Sequence, residues 1–102
     1  MVDGPGQVGI GDEAVYDVFI DLDEGVPYPV ADISMVKYLV FDATGELVFT
    51  GDAEAIEDGY WQAVLDAGIT GDLEAGSNRL AVIAVSKNAL VPVRQTVNFV
   101  TQ

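Results

Sequence analysis

Apolar and polar residues alternate along much of this chain with a period of two, the repeat of a half-buried β-strand. Across Glu13–Leu22, Ala14, Tyr16, Val18, Ile20 and Leu22 fall on one side and Asp17 and Asp21 on the other. Ile33–Asp42 sets Val36, Tyr38 and Val40 against Lys37, while Met35, Leu39 and Phe41 make its second face apolar too. Tyr60–Asp66 sets Trp61, Ala63 and Leu65 against Gln62, and Val93–Thr101 sets Val93, Val97 and Phe99 against Arg94, Thr96 and Asn98. Between these last two, Arg79–Ser86 is an unbroken apolar, β-branched run, the pattern of a central strand of an antiparallel sandwich.

The connections carry turn chemistry. Pro27 and Pro29 lack the N–H a ladder requires, so Asp23–Asp32 is expected as a loop or irregular edge. Asp42–Glu46 reads as a tight turn in which Gly45 supplies the positive φ, with Leu47–Gly51 as the returning strand. Asp52–Gly59 reads as a second, acidic turn; good helix formers over Ala53–Leu65 offer helix as the competing state, which Asp58-Gly59 and the two aromatics after it disfavour. Ala67–Asn78 is expected as a long turn with one helical turn around Thr70–Leu73, and Asn88–Pro92 as a short connection. Residues 1–11, rich in glycine, read as an N-terminal linker or, through Val8 and Ile10, an edge strand. The expectation is all-β: an antiparallel two-sheet sandwich of about seven strands filling 12–102 as one domain.

Charge narrows the partners. The chain has 17 acidic and 4 basic residues, a formal net charge of −13, which repels nucleic acid and anionic lipid. Acidity of this degree suits an extracellular surface, a cation-binding surface or a high-salt environment. The longest apolar runs, such as Leu80–Val85, fall far short of the roughly 20 residues of a membrane helix, so no membrane insertion is expected. Cysteine and histidine are both absent, which removes disulfides, thiolate nucleophiles, the usual zinc ligands and every triad built on an imidazole. No basic and apolar leader opens the sequence, so an extracellular location requires an export signal elsewhere in a longer parent chain.

The order Leu73-x-x-Gly76-x-x-Leu80-x-Val82-x-Ala84 resembles the turn and strand F corner of immunoglobulin-like and fibronectin type III-like modules. Ala75 stands where that pattern often has proline and Leu80 where it usually has tyrosine, so no corner hydroxyl is present. Over Ile33–Val100 the succession Val36-Lys37-Tyr38-Leu39, Asp42-Ala-Thr-Gly45, Val48-x-x-Gly51, Leu73-x-x-Gly76 and Ala84-Val-Ser86 is similar to β-sandwich modules appended to solute-binding components of bacterial ABC importers and to other surface proteins. The resemblance implies an immunoglobulin-like sandwich acting as a non-catalytic accessory domain, with partners in other domains of the parent chain or in another protein.

Candidate chemistry is confined to carboxylates and aromatics. Asp21, Asp23 and Glu24, with Asp32, form a loop-acid set that could supply oxygen ligands to Ca²⁺, though without the spacing of an EF-hand; Asp72 and Glu74 are a second set if those ends converge. Two of the many carboxylates could flank a glycosidic bond, but no sequence feature selects a pair. Trp61, Tyr60, Tyr28 and Tyr38 could form a platform for sugar or peptide, although the alternation assigns Trp61 to the core. Val15, Phe19, Leu39 and Phe41 are candidates for an apolar outer face that meets another domain or subunit. The functional expectation is a spacer or docking module without catalysis; the alternative is a loop-based module binding carbohydrate or Ca²⁺.

Overall fold

The computed structural model describes residues 1–23, 25–87 and 92–102, with Asp23 described by its backbone alone. The chain is all-β. Its strands are β1 (Val2–Asp3), β2 (Gln7–Val8), β3 (Ala14–Phe19), β4 (Asp21–Asp23), β5 (Val26–Pro27), β6 (Ile33–Phe41), β7 (Leu47–Asp52), β8 (Glu54–Glu57), β9 (Tyr60–Leu65), β10 (Gly76–Ser86) and β11 (Val93–Thr101). A 3-10 turn spans Val30–Asp32 and one short helix, α1, spans Ala67–Gly71.

The strands form a four-stranded sheet, β1-β3-β9-β8, a five-stranded sheet, β2-β11-β10-β6-β7, and a small hairpin, β4-β5. All pairs are antiparallel except β2 with β11, which run parallel. The expected seven strands in two sheets are therefore corrected to eleven in three among the described residues. β2 is the edge strand expected through Val8, and the excess comes from short elements of two to four residues, β1, β4, β5 and β8, which are too brief to show alternation. Twice the chain leaves one sheet and joins the other within a few residues. Gly4–Gly6 carries it from β1 to β2 and Ala53 from β7 to β8, so residues 1–11 supply an edge strand to each of the larger sheets.

The core is the seam between the two larger sheets. Tyr16, Val18, Trp61, Ala63 and Leu65 of the four-stranded sheet share one buried cluster with Val36, Tyr38, Val40, Leu80, Val82, Ala84 and Phe99 of the five-stranded sheet. The Tyr16 and Phe99 rings meet across it at 5.7 Å between centroids. The tyrosine hydroxyls of the seam are satisfied: that of Tyr38 donates to the Val64 carbonyl at 2.9 Å, joining the sheets, and that of Tyr16 donates to the Pro5 carbonyl at 2.7 Å, whereas Gln95 Oε1, opposite Val82 on β11, is buried without a hydrogen-bond partner among the described residues. Burial pushes the Tyr16 phenol up to about 12. The Gly4–Pro5 strap lies so close over that ring that a methyl on Gly4 would come within 2.5 Å of it.

Several boundaries differ from expectation for local reasons. Leu22 is 55% exposed, because the chain leaves the four-stranded sheet at Ile20, whose N–H donates to the Gly59 carbonyl, and then pairs in the β4-β5 hairpin. The acidic stretch before Gly59 holds β8, paired with β9, where a turn was expected; Asp58-Gly59 alone makes the turn, with Gly59 at φ 75°. The helical turn sits three residues earlier than expected because Asp66 caps it, accepting from the Ile69 N–H at 2.9 Å. Val93 is 38% exposed, so the inward side of β11 is carried by Val97 and Phe99. The expected connection over Asn88–Pro92 lies outside the described residues except for Pro92.

β10 is the central strand, flanked by β11 and β6, and Leu80 is fully buried within it. The corner that lacks a tyrosine is tied instead by two other buried residues. The Asn78 amide donates to the Thr101 hydroxyl at 2.9 Å and to the Gly76 carbonyl at 3.1 Å, and the Thr101 hydroxyl donates to the Glu74 carbonyl at 2.6 Å. Leu80 is thus held by packing and the corner by hydrogen bonds. Chemical denaturation should show Leu80→Ala losing about 2 to 5 kcal/mol as a core cavity. Thr101→Val, which keeps the volume but strands two partners, should lose about 1 to 3 kcal/mol. A loss below about 1 kcal/mol for Leu80→Ala would contradict this packing.

Candidate functional site

With the inner faces spent on the core, the outer faces of the two larger sheets are the molecule's broadest surfaces, and strand register decides what each displays. On the five-stranded sheet three rows run across the strands: Lys37, Ile83 and Arg94; Leu39, Ala81 and Thr96; Phe41, Arg79 and Asn98. The centre is apolar, and Arg79 lies 4.6 Å over the Phe41 ring. Three of the chain's four basic residues are on this face, and the strands of this sheet contain one acid, Asp52, whose carboxylate is 3.7 Å from the Lys37 ammonium.

The outer face of the four-stranded sheet has the opposite character. One row joins Asp3, Asp17, Gln62 and Glu54, and the next joins Phe19, Tyr60 and Glu57. Its strands contain four acids and no lysine or arginine. Phe19 stacks on Tyr60 with centroids 5.1 Å apart and planes 11° from parallel. Asp17 accepts from the Tyr60 hydroxyl at 2.6 Å and from the Gln62 amide at 3.2 Å; the hydrogen bond to Asp17, followed by partial burial, raises the Tyr60 pKa. The four apolar residues expected to share a face are therefore divided: Val15 and Phe19 lie on the acidic face, Leu39 and Phe41 on the basic one.

The candidate Ca²⁺ ligands do not assemble among the described residues. Asp21 is exposed in β4, opposite Pro27. Asp32 is half-buried at the end of the 3-10 turn, where its carbonyl accepts from the Ser86 hydroxyl and the Lys87 N–H at 3.2 and 2.9 Å. Glu24 and the Asp23 side chain lie outside the described residues. No three acidic side chains among the described residues are grouped to hold a metal ion. Asp72 and Glu74 border a hollow of about 170 Å³ with Asp42, Thr44 and Asn78, at the pole of the molecule opposite Asp21.

Other acids act as local braces. Asp42 Oδ1 accepts from the Thr44 hydroxyl at 2.6 Å, the Thr44 N–H at 2.9 Å and the Glu46 N–H at 3.0 Å, and Asp58 accepts from the Val30 N–H at 2.9 Å. The aromatic platform also dissolves into separate tasks: Trp61 and Tyr38 are core, Tyr60 is paired with Phe19, and the Tyr28 hydroxyl donates to Ser86 Oγ at 2.6 Å. The basic trio went unnoticed in the sequence because each cation occupies an ordinary polar position of its own strand. Only the pairing of β6, β10 and β11 sets them side by side. Comparison with protein-family models and with curated proteins finds no match for this chain.

The Asp42 brace has a pH signature. Hydrogen bonds from the Thr44 side chain and then from backbone N–H groups hold its carboxyl below its ordinary value. A carboxylate lowered on folding stabilises the fold above its unfolded pKa and loses that contribution as pH falls through the folded one. An NMR titration should place the Asp42 midpoint below 3.8, with exchange protection of the Thr44 and Glu46 amides lost as pH falls through that midpoint. A midpoint at or above the ordinary value would show the brace to be absent in solution.

Proposed function

We propose that this chain is a non-catalytic structural and interaction module, an immunoglobulin-like sandwich that spaces and docks the parts of a larger surface or transport-associated protein. The immunoglobulin-like reading is supported by strand order. Lettered as in that fold, β1 and β2 are A and A′, β3 is B, β6 and β7 are C and C′, and β8 to β11 are D to G. The sheets then read ABED and A′GFCC′, the order of that architecture with A′ and C′ strands added at the two edges of the second sheet. The acidic composition and the sequence resemblance support a place outside the cell.

One observation carries the spacer reading: Met1 and Gln102 lie at opposite poles. The Met1 carbonyl accepts from the Phe19 N–H at 2.8 Å, and the Phe19 carbonyl accepts from the Gln95 amide at 3.0 Å, so residue 1 sits beside the start of β11. Gln102 is seven residues further along that extended strand, about 23 Å away at roughly 3.3 Å per residue, in a molecule 39 Å long and about 22 Å wide. A chain that comes in at one pole and leaves at the other adds length between whatever flanks it.

The absence of native cysteine makes Met1→Cys/Gln102→Cys a clean labelling pair. Spin labels there should give a single narrow distance distribution centred beyond about 20 Å; a short or broad distribution would overturn the spacer reading. In parallel, millimolar Ca²⁺ should leave Tm unchanged and a glycan array should stay blank. A loop site saturated tenfold above its Kd would raise Tm by roughly 5 to 10 °C, and that result would replace the spacer with a ligand-binding module.

A further inference from the structure

The two outer faces carry opposite charge on one molecule. Every cation placed by a strand lies on the outer face of the five-stranded sheet, where Lys37, Arg79 and Arg94 surround Leu39, Ala81 and Ile83 and a single acid, Asp52, pairs with Lys37 at the edge. The outer face of the four-stranded sheet presents Asp3, Asp17, Glu54 and Glu57 around the stacked Phe19–Tyr60 pair. Of the four lysines and arginines in this chain, three are thus gathered on one face and none lies on the strands of the other sheet.

From this we infer that the chain associates with itself face to back, the basic face of one copy seated on the acidic face of the next. Charge selects this arrangement over the symmetric ones. Stacking two basic faces would bring six cations together with only two carboxylates, the Asp52 partners of Lys37, and stacking two acidic faces eight carboxylates, whereas face to back sets cations against carboxylates with apolar centres on both sides. Size permits it: a face bounded by 39 and 22 Å offers on the order of 800 Å², the area one partner of a standard interface buries. The net charge of −13 opposes contact only weakly at physiological salt, where the Debye length of about 8 Å is shorter than the molecule is thick. The contact is heterologous, so it leaves one free basic face and one free acidic face on every oligomer and extends as a stack.

This inference deepens the interaction-module reading, and it fails separately from it, since the pole-to-pole distance is read on monomers. Sedimentation velocity at about 0.15 M salt should show reversible association at concentrations up to about 1 mM. Arg79→Glu/Arg94→Glu, which spoils only the basic face, and Glu54→Lys/Glu57→Lys, which spoils only the acidic face, should each weaken it about tenfold or more. All four positions are exposed, and unchanged far-ultraviolet dichroism and Tm would show that both variants fold. Mixing the two variants should restore association, because an intact acidic face on one meets an intact basic face on the other. A chain that stays monomeric at about 1 mM overturns the inference. So does association that either variant leaves intact, or a mixture no stronger than its components.

Discussion

Two sheets, each with one apolar face, have no stable existence in water until those faces cover each other, and everything else in this molecule follows from that closure. The seam is made by alternate residues of β3 and β9 on one side and of β6, β10 and β11 on the other. Such a seam is open along its two long sides, where the sheets end. The chain seals both by letting a strand change sheets: residues 2–8 pass from the four-stranded to the five-stranded sheet on one side, and residues 47–57 pass back on the other. Gly4 belongs to this device, because only a residue without a side chain lies so close over the Tyr16 ring.

The same closure explains where the polar chemistry went. Asp42, Asp58 and Asp66 accept backbone N–H groups that no strand partner reaches, and Asn78 and Thr101 satisfy the carbonyls where the chain turns into β10. Each is a carboxylate, amide or hydroxyl that a search for catalytic or metal-binding groups would collect. Here their lone pairs and protons are already engaged at 2.6 to 3.1 Å by the protein itself. A strand-rich domain of this size has many loop ends to tie and few buried groups with which to tie them, and short acidic side chains at turn positions serve that need.

The inward residues of the long strands were legible in sequence, because Tyr16, Val18, Val36, Tyr38, Val40, Trp61, Ala63, Leu65, Leu80, Val82, Ala84 and Phe99 fall at alternate positions of their strands; in Ile33–Asp42 and Arg79–Ser86, where both sides are apolar, the pattern marks the strand and the packing of the sheets selects the side. The sheet-switching strands were not, because β1 and β2 are two residues each and β8 has no buried residue to set against its exposed ones. Leu22 and Val93 show the other limit: alternation gives a side, while burial also requires that the opposite sheet extend that far. The acidic loops were legible as acidic and no further, since whether Asp21 and Asp32 meet depends on a hairpin and a 3-10 turn whose sequence, with Pro27 and Pro29, signals only irregularity.

Net charge is the coarsest summary of a surface, and in this chain it conceals the sorting. A value of −13 describes the loops, which hold most of the acids; it does not describe the five-stranded sheet, whose strands hold one. A strand fixes only that Lys37, Arg79 and Arg94 point away from the core. Three cations on separate strands form a surface because β10 lies between β6 and β11, with Ile83 opposite both Lys37 and Arg94. The same holds on the other side, where Asp3, Asp17 and Glu54, distant in sequence, fall in one row because β1, β3, β9 and β8 are neighbours. Like charges set side by side cost stability when the sheet is isolated. That cost is relieved when a surface of opposite sign covers them, so the recognition properties of this domain reside in strand order more than in any local motif.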